Sequence, residues 1–73
     1  MILAYTIHYK VILLEDDTET EGPDGVITGQ YNGKQDSFTE AVLSYATTAA
    51  KATLGNTNFK VKILSTETNT LSR

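Results

Sequence analysis

Apolar residues occupy every odd position from residue 3 to residue 13, and several of the even positions between them are polar. Thr6, His8 and Lys10 are the polar members of this alternation. A period of two is typical of a β-strand, because successive side chains point to opposite faces of a sheet. The pattern therefore predicts a first strand over residues 1–14 whose odd positions face a core.

The rest of the chain predicts two more strands and one helix. A weaker apolar pattern predicts a second strand over residues 26–31, in which Gly29 could mark a bulge. Ser37 and Glu40 fit a capping box, and apolar residues recur at helical spacing until Gly55, which predicts a helix over residues 38–54. The predicted buried stripe of this helix comprises Phe38, Ala41, Val42, Tyr45, Ala49 and Ala52. Renewed alternation predicts a third strand over residues 58–65.

Two short segments need a choice between interpretations. Asn32 and Gly33 form a good turn dipeptide, which either closes a hairpin into an extra strand at residues 34–36 or redirects the chain into the helix. We favour the second interpretation, because a helix start follows almost at once. Residues 66–73 are mostly polar, so we expect a frayed tail unless this segment pairs with a neighbouring strand.

The order of these elements predicts a single small α+β domain over residues 1–73. A right-handed crossover from the second strand to the third can place the third strand on the far side of the first. The predicted fold is a two-layer ββαβ arrangement, with a three-stranded antiparallel sheet in the order 2-1-3 and one helix packed on one face. The other face of the sheet is then left without a helix.

Acidic residues are concentrated in one part of the chain. Residues 15–24 hold six of the nine acidic residues and no base, whereas the rest of the chain holds all six bases. We predict an acidic loop over residues 15–25, which either is a solvated loop that maintains solubility or docks on a basic protein partner. Calcium is not indicated, because the twelfth position of an EF-hand-like alignment is Thr28 rather than Glu. The candidate partner-binding acids are Glu15, Asp16, Asp17, Glu19, Glu21 and Asp24.

The uncovered sheet face is predicted to be basic, with His8, Lys10, Lys60 and Lys62 as a second set of candidate partner-binding residues. This face is either ordinary solvated surface or a contact surface for phosphate or an acidic partner. Nucleic acid is a weak candidate, because the face lacks the aromatic side chains that stack on bases. Apolar residues of the same face are candidates for self-association, and these are Ile12, Leu14 and Leu64.

No arrangement of residues indicates catalysis, a metal site or a cofactor. Cysteine is absent, and the single histidine, His8, lies in the middle of a strand without a sequence-local nucleophile or orienting group. The beginning of the chain has neither a basic leader nor an unbroken apolar run. We therefore expect a non-enzymatic, cytoplasmic protein with no metal, no cofactor and no membrane span.

In size and element order the chain resembles the short proteins that phages and mobile elements use to bind and block host machinery. The resemblance implies a regulator or inhibitor that acts by protein–protein contact, in the host cytoplasm if it is phage-encoded. Two alternatives stay open. One is a structural subunit that forms homo-oligomers through the third strand or the uncovered sheet face, and the weaker one is nucleic-acid binding by the basic face.

Overall fold

The computed structural model describes residues 1–72. Within this range the chain forms three strands and one helix, namely β1 (Ile2–Glu15), β2 (Thr18–Asn32), α1 (Gln35–Leu54) and β3 (Phe59–Ser72). The strands make one open antiparallel sheet in the order β2-β1-β3, and α1 packs on one of its faces. The predicted α+β fold with β1 at the centre is confirmed.

The core lies between the odd face of β1 and one side of α1. Leu3, Ile7 and Val11 are buried, as the alternation predicts. The helix contributes residues four positions apart, which lie on one face of a helix: Phe38, Val42, Ala46 and Ala50. The predicted stripe is right at Phe38 and Val42 but wrong at Ala52, which is exposed. Sequence reasoning missed Ala46 and Ala50, whose short side chains allow the helix to lie close to the sheet.

Two tyrosines of β1 lie across glycines of β2 on the covered face. Tyr9 is the cross-strand partner of Gly25, and Tyr5 is the partner of Gly29. A side chain at Gly25 would begin 2.2 Å from Cζ of Tyr9, so the ring fills the space that the glycine leaves. The register of β2 is continuous through Gly29, so the bulge expected there is wrong.

A two-residue turn joins β1 to β2. Asp16 and Asp17 both have positive φ, at 46° and 64°, which is the pattern of a type I′ hairpin turn. The predicted acidic loop over residues 15–25 is therefore wrong, since β2 begins at Thr18 and not near residue 26. The reason lies in pairing, because Glu19 and Glu21 lie directly opposite Leu14 and Ile12 of β1.

The last strand is longer than predicted. β3 continues to Ser72, because residues 65–72 pair with residues 2–8 of β1 and so have backbone partners. The expected fraying of residues 66–72 is wrong, and Arg73 lies outside the described residues.

Neither end of the helix has a side-chain cap, and the C-terminal end is closed by a backbone hydrogen bond. The helix begins at Gln35 with Lys34 as its N-cap residue and no side-chain capping bond, so the capping box predicted at Ser37 is wrong. Residues 34–36 form no strand, and the interpretation that Asn32 and Gly33 redirect the chain into the helix is confirmed. Gly55 ends the helix as predicted, with φ of 65° and its N–H donated to the Lys51 carbonyl at 2.8 Å.

Across residues 1–72 no helix has the length and apolar character needed to cross a membrane.

Candidate functional site

A bulge in β2 decides which acidic residues share a face with the bases of β1. Lys10 pairs with Asp24, whereas Ile12 pairs with Glu21, so β2 has one residue more than β1 in this interval. Pro23 lies in the bulge, and bulges and edge strands are the places where a sheet tolerates a residue without an N–H. In an unbroken strand Glu21 and Asp24 would lie on opposite faces. The bulge places both on the open face, which is the sheet face that α1 does not cover.

Lys10 lies between these two carboxylates. Its Nζ is 3.1 Å from Oδ1 of Asp24 and 3.9 Å from Oε2 of Glu21. The hydrogen bond to Asp24, together with the negative charge of both carboxylates, raises the pKa of Lys10 above its usual range. One base of the open face is thus already engaged within the molecule.

A second ion pair ties the two edge strands together. Lys60 of β3 donates to Oε1 of Glu19 on β2, and β1 lies between these two strands. The pair therefore crosses the central strand near the hairpin end of the sheet. Farther along the same face, Nε2 of His8 lies 3.8 Å from Oε1 of Glu67.

The open face is not the basic surface that the sequence predicted. The four expected residues, His8, Lys10, Lys60 and Lys62, do lie on it, as their cross-strand partners show. However, acidic residues of β2 and β3 lie among them: Lys10 and Lys60 form ion pairs, and Glu67 lies beside His8. Of the three lysines, only Lys62 has no ion-pair partner within residues 1–72. The prediction of a negative loop beside a basic face is wrong, because the bulge and the hairpin intermix the two signs of charge.

The hairpin tip consists of Glu15, Asp16, Asp17 and Thr18, and it carries three carboxylates. All three are exposed, and within residues 1–72 they form no ion pair. The six predicted acids thus divide into two groups of three. Glu19, Glu21 and Asp24 lie within ion-pair distance of Lys10 or Lys60 on the open face, and the other three concentrate negative charge at one end of the molecule.

A hollow of about 410 Å³ lies beside the hairpin tip. Leu14 contributes apolar surface to it and is 36% exposed, while Asp16, Asp17 and Glu19 contribute carboxylates. The carbonyl of Asn58 accepts the N–H of Leu14 at 3.1 Å and fixes the chain on the other side of the hollow. Arginine and lysine side chains combine an apolar stem with a cationic end, so this mixture of groups suits them.

Two of the three predicted self-association residues, Ile12 and Leu14, are neighbours on the open face of β1, and the third lies on β3. Ile12 is half-buried on the open face, and Leu14 lines the hollow at the hairpin tip. Leu64 is 50% exposed and lies at an irregularity of β3, opposite the middle of β1. Leu64 is therefore separated along the sheet from the other two.

Sequence reasoning missed an apolar groove between α1 and β3. The groove has a volume of about 420 Å³ and is lined chiefly by Phe38, Val42, Leu43 and Ile63, with Thr66 and Thr68 on its β3 side. Leu43 is 52% exposed. The sequence signal for this groove is an apolar residue of the helix that lies outside the predicted buried stripe. Leu43 is such a residue.

Residues 1–72 contain no group of three or more histidine or acidic side chains arranged to hold a metal ion. Comparison with known proteins supplies no further guide, since no family model, curated protein or solved structure matches the chain. Among the described residues, the hairpin tip with its exposed, unpaired carboxylates is the candidate site.

Proposed function

We propose that this is a small non-enzymatic binding protein that regulates or inhibits a larger macromolecule by protein–protein contact. Its hairpin tip docks on a basic surface of the partner. One observation carries the proposal: Glu15, Asp16 and Asp17 are exposed on a tight turn and have no base within residues 1–72 to neutralise them. A tight turn loses less conformational entropy on binding than an eleven-residue loop would, which favours a docking role.

The chemistry of the hollow supports a cationic side chain as the group that it would take. An arginine or lysine of the partner would lay its stem on Leu14 and place its charge near Asp16 and Asp17. Exposed ion pairs contribute only about 0.2–1 kcal/mol each, so several must form together. The negative end of the molecule would also accelerate encounter with a basic partner.

This mode of binding would allow the protein to regulate a partner without catalysis. Carboxylates in a row can occupy a surface that otherwise binds nucleic-acid phosphate, and the occupied surface is then blocked. The proposal extends to a phage-type regulator or inhibitor in the cytoplasm of a host cell. Nucleic-acid binding by the open face is less favoured, because acidic residues lie among its bases.

The decisive experiment compares two baits that lose the same number of charges. Asp16→Asn/Asp17→Asn removes two carboxylates from the tip, and Asn tolerates positive φ, so the turn is kept. Asp36→Asn/Glu40→Asn is the matched control, since both of its residues are exposed on α1. Each bait is used for affinity capture from a lysate of the source cell, with wild type alongside.

We expect the wild type and the α1 control to retain the same partner, and the tip variant to lose it. Raising the salt concentration should release the partner from wild type, because exposed charges are screened. Equal retention by the tip variant, with its circular dichroism unchanged, would refute the electrostatic docking.

A further inference from the structure

The outer edge of β3 is open. β3 pairs with β1 on one side, and on its other side residues 1–72 supply no strand. An open edge presents a row of backbone N–H and C=O groups that another strand can pair with. Three exposed leucines, Leu43, Leu64 and Leu71, lie on this edge or on the helix beside it, each about half exposed. The edge thus has both unsatisfied backbone and apolar surface.

A bulge at Leu64 distributes charge along this strand. His8 pairs with Ser65 and Tyr9 pairs with Ile63, so Leu64 is an extra residue in β3. Because of the bulge, β3 presents its even residues on the open face before Leu64 and its odd residues there from Ser65 to Asn69. The residues that result are Lys60 and Lys62 in the first half, then Ser65, Glu67 and Asn69 in the second.

We propose that a second copy of this chain pairs along β3, antiparallel and across a twofold axis, to form a continuous six-stranded sheet with both helices on one face. In an antiparallel pair, directly opposed residues lie on the same face. The register that sets Lys62 against the second copy's Glu67 also sets Lys60 against Asn69 and Ile63 against Thr66. Open-face residues then meet open-face residues throughout, and covered-face residues meet covered-face residues.

Charge favours this register over its neighbours. Lys62 has no ion-pair partner within residues 1–72, whereas Lys60 already donates to Glu19. Because of the twofold axis, the pair of Lys62 and Glu67 forms twice. Each pair joins the basic half of one β3 strand to the acidic half of the other. A register that sets Lys62 against the second copy's Lys62 would oppose two lysines. Beyond the bulge it would also set open-face residues against covered-face residues. Like charges directly opposite one another destabilise a strand pair.

The groove between α1 and β3 supports the same partner. Ile63 and Thr66 both line it, and they are cross-strand neighbours in the proposed register. The grooves of the two copies therefore meet at the axis, where each supplies apolar surface to the other. Leu64 of both copies also lies at the axis. Surface that a monomer exposes to water is covered in the dimer, which favours association.

Sedimentation equilibrium of the wild-type protein tests the dimer. The mass should rise from 8.0 kDa toward about twice that value as concentration increases from roughly 1 µM to 1 mM. Amide hydrogen exchange in residues 59–72 should slow over the same range. A mass of 8.0 kDa at every concentration would overturn the proposal.

Charge reversal tests the register. Lys62→Glu and Glu67→Lys should each raise the dissociation constant at least about tenfold, by opposing like charges, and the double reversal should restore it to within about threefold of wild type. Lys34→Glu is the matched control, because it makes the same charge change outside β3 and should leave the dissociation constant unchanged. Folded single variants that dimerise like wild type, or a double variant that is not restored, would rule out this interface. Asp16→Asn/Asp17→Asn should leave dimerisation intact, so the two proposals can fail separately.

Discussion

Replacing Gly25 with alanine should destabilise the protein through its contact with Tyr9. An added Cβ would lie 2.2 Å from Cζ, 2.3 Å from Oη and 2.7 Å from Cε2 of the tyrosine ring. Tyr9 is only 8% exposed and belongs to the core between the sheet and α1, so the ring has little room to move. The backbone itself is no obstacle, since φ of Gly25 is not positive. The cost is therefore steric.

The size of the effect follows from two opposing terms. Forcing extra volume into a packed core costs about 1–3 kcal/mol. Gly→Ala also reduces the conformational entropy of the unfolded chain, which stabilises the folded state by about 0.4–1 kcal/mol. The net loss should be about 1–2 kcal/mol, and in a domain of this size each kcal/mol lowers Tm by roughly 4–8 °C. Thermal and urea unfolding followed by circular dichroism would measure the loss.

A double-mutant cycle identifies the cause. In a Tyr9→Leu background the ring is gone, so Gly25→Ala should cost at least about 0.5 kcal/mol less than in wild type. Gly55→Ala is the control, because its Cβ would meet nothing within 4 Å and its cost comes only from the positive φ of 65°. That cost should be the same in both backgrounds. Equal costs for Gly25→Ala in the two backgrounds would refute the steric explanation.

Three further predictions concern the turn, an ion pair and the last strand. Asp16→Asn/Asp17→Gly should raise stability by about 0.5–2 kcal/mol, because Asn-Gly suits a type I′ turn, while it weakens partner capture; a lower Tm would contradict the turn assignment. The raised pKa of Lys10 means that the pairing with Asp24 stabilises the fold fully below pH 10.5, and that this contribution is lost as pH rises through the higher folded pKa. The difference in urea midpoint between wild type and Lys10→Met should therefore shrink above pH 10.5, and a constant difference would contradict it. Deleting residues 66–73 should abolish cooperative unfolding, because half of β1 loses its neighbour, whereas a frayed tail could be removed without effect.

Much of the fold could be read from local periodicity. The alternation from Leu3 to Leu13 predicted β1 at the centre of the sheet, because a strand with one fully apolar face is buried most completely there. The position of the helix followed from apolar spacing and from Gly55, whose positive φ ends it. The order of the strands followed from the right-handed crossover. These features depend on near neighbours in the chain or on general chirality.

The candidate site was only partly predictable. The sequence identified the acidic cluster, but it did not separate Asp16 and Asp17 at the tip from Glu21 and Asp24 on the open face. Charge and turn-forming residues at 22–25 suggested a loop, and only pairing with β1 made that segment a strand. Leu43 was overlooked, because a helical stripe drawn from spacing alone excludes it.

The sequence by itself determined which elements form, their order and the face of β1 that is buried, since hydrophobic periodicity reports burial directly. Tertiary structure decided which charges meet. The bulges beside Pro23 and at Leu64 each shift a strand by one residue, and with a period of two this moves the side chains that follow to the other face. Such shifts depend on how two distant segments align, which no single segment encodes. The alignment of β2 with β1 thus decides which acids of residues 15–24 pair with lysines on the open face and which lie exposed at the hairpin tip.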